Sequence, residues 1–122
     1  MGKEDFVVYF ANVTSWSLKA EEYIRKNHTG SSVVMIAEHH MNGDRMKRAR
    51  RRLQRRWKVA ITPAHSTSKT GTSGGTLVLA SSALVAHSSF FGLDGQRLQC
   101  DNWTATVVRM KGYDVLFISV YM

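Results

Sequence analysis

The sequence predicts an α/β fold with one mixed β-sheet and two helices on one face of that sheet. Three observations lead to this prediction. Short, continuous runs of apolar and β-branched residues are typical of strands buried on both faces. Two segments with apolar residues at helical spacing separate the first three of these runs. After the second helix only strand-like runs follow, an order that favours one sheet covered by helices.

The first strand–helix–strand unit occupies the N-terminal third of the chain. Residues 6–11 (FVVYFA) predict the first strand, and residues 32–37 (SVVMIA) predict the second. Polar turn residues 12–15 precede an amphipathic helix, which ends near residues 28–30. The apolar positions of this helix are Trp16, Ala20, Tyr23 and Ile24. Two strands joined by a helix favour parallel pairing with a right-handed crossover.

The second helix is predicted over residues 44–56, and it is followed directly by a strand. Its narrow apolar stripe consists of Met46, Ala49, Leu53 and Trp57. Residues 57–62 (WKVAIT) predict the third strand, which Pro63 ends because proline cannot donate to a β-ladder. A loop rich in Ser, Thr and Gly follows over residues 64–73.

Three further strands are predicted in the rest of the chain. They cover residues 76–80, 103–110 and 114–122. Gly74 and Gly75 give a tight turn into the first of them, residues 81–102 are irregular, and Lys111-Gly112 is a hairpin turn. If both helices cover one face, the other face of the sheet is apolar and uncovered. Either another element covers that face or the domain is incomplete, and we expect the latter.

The composition is that of a globular protein. Of the 122 residues, 43% are hydrophobic and 21% charged, which excludes a disordered chain and allows about one domain. The single cysteine, Cys100, excludes an internal disulfide and favours a reducing compartment. No apolar run approaches the ~20 residues of a membrane span. Residues 1–5 lack the features of a signal peptide. We expect a soluble, intracellular protein.

Positive charge is concentrated in one segment. The net charge is +8, and nine of the 17 Lys and Arg residues lie between Arg45 and Lys58, where no acidic residue occurs. Like charges at i, i+4 destabilise a helix. A run of uncompensated positive charge with this cost favours a function in binding a polyanion such as nucleic acid. The predicted nucleic-acid-binding residues are Arg48, Arg50, Arg51, Arg52, Arg55 and Arg56. A solvated helix face and a nuclear-localisation signal are alternative interpretations.

Four motifs occur in an order that resembles the endonuclease/exonuclease/phosphatase superfamily, which includes apurinic-site endonucleases, deoxyribonucleases and retrotransposon endonucleases. The first is a buried strand ending at Asn12 (FANV), and the second is a strand ending at Glu38 (IAEHH). The third is a Ser-Gly-Gly turn that opens residues 76–80, and the fourth is a late strand with Tyr121 (ISVY). Ala11 and Ala37 depart from the tryptophan and glutamine usual at these positions.

The resemblance implies half of a four-layer α/β/β/α sandwich. Residues 1–122 would then be the N-terminal part of the domain, and a C-terminal half would be missing. The implied activity is metal-dependent cleavage of a phosphodiester in nucleic acid. The isolated chain is expected to be inactive. Two alternatives stay open: a non-catalytic module that binds nucleic acid through its arginines, and a lipid or inositol phosphodiesterase of the same superfamily.

The same resemblance assigns roles to three residues. Glu38 would be the ligand of magnesium or manganese, since magnesium takes few carboxylates and keeps several waters. Asn12 would orient the site, and Tyr121 would contact the phosphate. Without the resemblance, these residues are a solvated carboxylate, a turn residue and a packed aromatic. His39 and His40 point to opposite sides of an extended chain, so we expect loop positions near the cleft rim and no shared metal.

Overall fold

The structure is a computed structural model that describes residues 6–28, 30–66, 72–89 and 102–121. In chain order, its elements are β1 (Val8–Asn12), α1 (Leu18–Asn27), β2 (Val33–Ala37), α2 (Gly43–Leu53), β3 (Trp57–Thr62), β4 (His65–Ser66), β5 (Thr72–Ser73), β6 (Thr76–Ser81), β7 (Ala86–His87), β8 (Trp103–Met110) and β9 (Tyr113–Val120). Most of the region predicted to be irregular, including Cys100, lies outside the described residues, as do residues 1–5. Within the described ranges, no helix is long and apolar enough to cross a membrane.

Four strands form the main sheet in the order β1-β2-β6-β3. β1 and β2 are parallel, as the strand–helix–strand pattern predicts, and β6 is antiparallel to both β2 and β3. The side chain of Ser17 caps α1 by accepting a hydrogen bond from the Ala20 N–H at 3.1 Å. Such a cap stabilises a helix by about 1 kcal/mol. α2 ends at Leu53 and not at Arg56, because residues 54–56 form the turn into β3.

Both helices cover one face of this sheet, as predicted. Ile24 of α1 and Leu53 of α2 are buried there against Val34, Ile36 and other apolar residues of β2 and β6. Leu53 is fully buried, and truncating such a leucine to alanine costs about 2–5 kcal/mol. The apolar stripe read from the sequence of α2 is therefore the stripe that holds this helix on the sheet.

The opposite face of the main sheet is covered by a second sheet. β7, β8 and β9 form this antiparallel sheet, which packs on β2, β3 and β6. Val33, Val78, Ala80 and Val108 are buried between the two sheets. The mixed sheet with both helices on one face is therefore as predicted, and its other face is covered by a second sheet within the chain instead of being left exposed. An apolar sheet face is unfavourable in water, so the hairpin of β8 and β9 lies over it instead of extending its edge.

Buried hydroxyl groups also join the two sheets. The Thr104 hydroxyl lies 2.7 Å from the Thr76 hydroxyl and 2.8 Å from that of Thr62. The Ser119 hydroxyl donates to the Ile36 carbonyl at 2.9 Å. These contacts satisfy polar groups that would otherwise be costly to bury, and they fix how the second sheet sits above the ends of β2 and β6.

Apolar residues stay exposed on β1 and on the outer face of β9. β1 is an edge strand, and 54% of Phe10 is exposed, so the prediction that this strand is buried on both faces was wrong. On β9, Leu116, Ile118 and Val120 are exposed in alternation. In the described part of the chain, no element covers these side chains.

Candidate functional site

Asn12 and Glu38 lie side by side where the two parallel strands end. The register pairs Asn12 with Ala37, the residue that precedes Glu38. The Asn12 Nδ2 group donates a hydrogen bond to Glu38 Oε2, and Asn12 Oδ1 accepts one from the Thr14 N–H at 3.1 Å. The amide is held at both ends, so its position against the carboxylate is fixed. The structure thus brings together two of the three residues singled out in the sequence.

The backbone around this pair is in an uncommon conformation. Glu38, His40 and Thr14 have φ values of 60°, 58° and 54°, in the left-handed region. Residues with a Cβ pay of order 1 kcal/mol or more to stay there. Such strain persists only where the surrounding contacts impose it, and it is frequent at functional sites. At Glu38 it turns the side chain away from the path of β2.

His39 lies between these strained residues, but it belongs to the core. It is fully buried, so its predicted place on the cleft rim was wrong. Its Nε2 group lies 2.9 Å from the Thr62 carbonyl, and its Nδ1 atom accepts from the Met41 N–H at 2.8 Å. The Thr62 contact requires a proton on Nε2 and the Met41 contact requires none on Nδ1, which defines a neutral imidazole. Burial lowers the pKa of His39 to about 4.

The glycine turn before β6 packs against this histidine and against Tyr121. Gly74 and Gly75 have φ values of 81° and 88°, which confirms the predicted tight turn. A Cβ on Gly75 would lie 2.3 Å from the His39 ring, and one on Gly74 would lie 3.1 Å from the Tyr121 ring. The Gly75 and Gly74 carbonyls accept from the His39 and His40 N–H groups. A Cβ at either glycine would therefore crowd a neighbouring ring. In the sequence, the Gly-Gly pair is the feature that indicates this close packing.

Tyr121 packs against this glycine turn, at the Glu38 end of the sheets. Its N–H donates to the Asn102 carbonyl at 2.8 Å, and its hydroxyl lies 3.2 Å from the Ser73 hydroxyl. The ring rests on Gly74, whose carbonyl binds the residue two places after Glu38. Tyr121 is therefore anchored near the Asn12–Glu38 pair, with Ser73 as the partner of its hydroxyl. Sequence reasoning had not assigned Ser73 to this corner.

The arginines of the basic segment divide into two groups. Arg52 donates to both carboxylate oxygens of Glu21, at 2.9 and 3.1 Å from its Nε atom, and Glu21 also accepts from the Trp16 indole at 3.2 Å. The hydrogen bond with Glu21 raises the pKa of Arg52. Arg45 donates to the Trp16 carbonyl. Arg45 is itself exposed, and so are Arg48, Arg50, Arg51, Arg55 and Arg56. Of the six predicted nucleic-acid contacts, Arg52 is thus the one committed to a buried carboxylate.

The Glu38 carboxylate and the Asn12 amide could supply only some of the ligands of a magnesium ion. In the described ranges, no three His, Cys, Asp or Glu side chains form a metal cluster. Magnesium does not require such a cluster, because it is commonly held by one or two carboxylates together with water and substrate phosphate. The donor set at the Glu38 end of the sheet is compatible with that manner of binding. It does not resemble a zinc centre, which takes four protein ligands in structural sites.

The layers define an α/β fold in which a mixed sheet packs between two helices and a second, antiparallel sheet. The endonuclease domain of TRAS1, a telomere-specific non-LTR retrotransposon, is similar to this chain with a TM-score of 0.52 and 14% sequence identity. The alignment covers 97% of this chain, which spans 45% of the length of that neighbour. No family model matches the sequence, and no curated protein matches it. The structural likeness therefore establishes the fold.

Proposed function

We propose that this chain is part of a metal-dependent nucleic-acid endonuclease of the endonuclease/exonuclease/phosphatase superfamily. The observation that carries the proposal is the Asn12–Glu38 pair at the carboxyl ends of two parallel strands. The similar endonuclease domain supports it, as do the exposed arginines of α2 and of the turn that follows it. Magnesium or manganese would be the metal.

Each site residue has a role suited to its chemistry. Glu38 is the anionic ligand, and the bound cation would neutralise phosphate charge during hydrolysis. The Asn12 amide holds the Glu38 carboxylate in place without titrating itself. The Tyr121 hydroxyl, positioned through Ser73 and Gly74, is a neutral donor for a phosphate oxygen. This set contains no group that activates water, so the isolated chain is expected not to turn over substrate.

The remaining groups would come from a further segment that completes the sandwich. The exposed apolar residues of β1 and β9 mark the surface it would cover, including Phe10 and Ile118. β9 is also an edge strand of the second sheet, and such edges offer free pairing groups for another strand. In the similar endonuclease domain, more than half of the chain lies beyond the region aligned with this protein.

Metal binding at Glu38 is the direct test. Manganese is paramagnetic, so a bound ion broadens the NMR signals of the amides near it. We expect Mn²⁺ to broaden the amide signals of Asn12 and Glu38 selectively, and Glu38→Gln to abolish this effect. Glu22→Gln, which removes an exposed carboxylate on α1, is the matched control and should leave it unchanged. Uniform broadening, or broadening that survives Glu38→Gln, would contradict the proposed site.

A cleavage assay separates the enzyme from its alternative. We expect no nicking of plasmid DNA by the isolated chain with magnesium. Nicking that Glu38→Ala removes would support the enzyme class and overturn the expected inactivity. The alternative, a non-catalytic module, is favoured by the exposed arginines. It predicts salt-dependent DNA binding with no effect of divalent metal, of Glu38→Gln or of Asn12→Ala.

A further inference from the structure

A polar depression lies at the end of α2, where the chain turns into β3. It encloses about 300 Å³ and is lined by Arg55, Arg56, Trp57, Ser81 and Ser82. Trp57 is buried and forms its apolar wall, whereas both arginines are exposed. No acidic residue is among the described residues that line it. Two guanidinium groups and two hydroxyls are the donors that bind phosphate oxygens best.

Strand register places this depression at the opposite end of the sheet from Glu38. Trp57 pairs with Ser81 at one end of the β3–β6 ladder, and Thr62 pairs with Thr76 at the other. Thr76 also pairs with Ala37, the residue before Glu38. The residue steps from Thr76 to Ser81, at about 3.3 Å each, put roughly 17 Å between the two ends. The depression is therefore separate from the Asn12–Glu38 pair.

The turn that forms one side of the depression is fixed by several contacts. The Leu84 N–H donates to the Ser81 carbonyl at 3.0 Å, and the Ala83 N–H donates to the Ser81 hydroxyl at 3.3 Å. From the β3 side, the Lys58 ammonium donates to the Leu84 carbonyl. The backbone on the Ser81 side of the depression is therefore ordered before a ligand binds.

Helix stability alone does not account for Arg55 and Arg56. Cations in the last turn of a helix interact well with its dipole, which explains Arg50 and Arg51. That effect falls off within the last turn, and α2 ends at Leu53. Arg55 and Arg56 lie beyond that end, in the turn, so the helix dipole does not explain their charge.

A row of exposed arginines leads along α2 to the depression. α2 begins at Gly43, shortly after Glu38, and ends just before β3, so it runs from the Glu38 end of the sheet to the other. Arg48 and Arg51 are exposed at i, i+3, and Arg55 follows at i+7. At 1.5 Å per residue, Arg48 and Arg51 lie about 4.5 Å apart along the helix axis, and Arg55 continues the row into the turn. A linear chain of phosphates can contact several members of such a row, whereas an isolated anion contacts only one end of it.

We propose that this depression binds a backbone phosphate of a nucleic acid, about 17 Å from the Glu38 end of the sheet. The arginine row favours a linear chain of phosphates over an isolated anion. This inference rests on the nucleic-acid substrate class of the proposed function, but it requires neither metal nor cleavage. It describes a second contact, which would hold the strand while its scissile bond lies at Glu38.

The test measures duplex binding in the absence of divalent metal. Fluorescence anisotropy follows a labelled duplex of about 15 base pairs between about 50 and 200 mM salt, where phosphate contacts dominate. We expect Arg55→Gln with Arg56→Gln to weaken binding about tenfold and to lower the log–log salt slope by about 1 for each phosphate that is no longer neutralised. Lys19→Gln with Arg25→Gln removes the same charge from the exposed face of α1 and should have a smaller effect. Equal weakening by the two double variants would overturn the proposal.

A second variant tests the depression without removing any arginine. Ser82 is exposed in the turn, so Ser82→Glu should leave the fold intact while placing a carboxylate beside both guanidinium groups. We expect it to weaken duplex binding as much as the double arginine variant does. Unchanged binding, with a circular dichroism spectrum like that of the parent chain, would overturn the proposal.

Two further arms separate this inference from other outcomes. Vesicles containing phosphatidylserine should bind no more weakly to Ser82→Glu than to the parent chain. If the variant affects vesicles and not the duplex, the depression is a lipid headgroup site and the inference fails. Glu38→Gln should not change metal-free duplex binding. If Mn²⁺ causes no selective broadening in the parent chain but the Arg55 and Arg56 substitutions still weaken duplex binding, the proposed enzyme fails and the phosphate site stands.

Discussion

The imidazole of His39 occupies the space that any side chain at Gly75 would need. A Cβ on this glycine would lie 2.3 Å from the ring, closer than atoms pack, and the φ of Gly75 is +88°. The Gly75 carbonyl also accepts the His39 N–H at 3.2 Å. The end of β2 and the start of β6 are thus held together through one glycine and one buried histidine, next to the Asn12–Glu38 pair.

Gly75→Ala should be strongly destabilising. The new methyl group would displace the His39 ring, and overpacking of this kind costs about 1–3 kcal/mol. The positive φ adds of order 1 kcal/mol for a residue with a Cβ. Urea unfolding measures the loss. Gly30→Ala is the control, because nothing lies within 4 Å of a Cβ there and its φ is not in the left-handed region. Similar midpoints for the two variants would contradict the packing account.

Stability should fall between about pH 6.5 and pH 4 because of His39. Burial lowers its folded-state pKa to about 4, whereas the ordinary value is 6.5. Over this interval the unfolded chain binds a proton that the folded chain does not, so unfolding becomes easier as pH falls. The full contribution is present above pH 6.5, and the loss reaches up to about 3 kcal/mol. Urea midpoints at several pH values measure it.

Comparison with two variants separates the effect of His39 on the pH dependence of stability from the effects of other titrating groups. His39→Gln should have a flatter pH dependence than the parent chain over this interval, whatever its stability at neutral pH. His65→Gln replaces an exposed histidine and should retain the original slope. A slope unchanged by His39→Gln would mean that this imidazole does not titrate as its burial requires.

Glu38→Gly should be more stable than Glu38→Ala, by about 1 kcal/mol. Both changes remove the carboxylate, but the φ of 60° at this position disfavours alanine and suits glycine. At a site with ordinary backbone the order is reversed, because glycine loses more entropy on folding. Thermal unfolding of the two variants measures the difference. A more stable alanine variant would show that the left-handed conformation is not kept in solution.

Arg52→Ala and Arg51→Ala should separate stability from nucleic-acid binding. Removing Arg52 leaves the Glu21 carboxylate, which is 1% exposed, with the Trp16 indole but no cation. Breaking a buried pair costs about 3–5 kcal/mol, and we expect about 2 here because the Arg52 side chain is 37% exposed. Arg51→Ala should cost under about 0.5 kcal/mol but lower the salt slope of DNA binding. Equal stability of both variants would contradict the role given to Glu21.

Much of the site could be predicted from the residues that follow the predicted strands. Asn12 and Glu38 follow two apolar runs joined by a helix, and parallel pairing then makes them neighbours. The burial of His39 could not be predicted, because the sequence after a strand is the same whether a histidine there is solvated or buried. In the core its Nε2 group contacts the carbonyl of Thr62, which belongs to a strand that begins many residues later.

The sequence by itself determined the two helices, the six longer strands and the Lys111-Gly112 hairpin turn, because the spacing of apolar residues and the backbone freedom of glycine are local properties. The two-residue strands β4, β5 and β7 lie in segments predicted to be loop or irregular. It also determined that the excess of positive over negative charge lies in α2 and its flanks. Only the tertiary structure decided that β8 and β9 form a second sheet over the first, and that Arg52 belongs to Glu21 while Arg55 and Arg56 line a depression. The reason is physical: periodicity indicates which side chains leave water, but packing between distant segments selects what they meet.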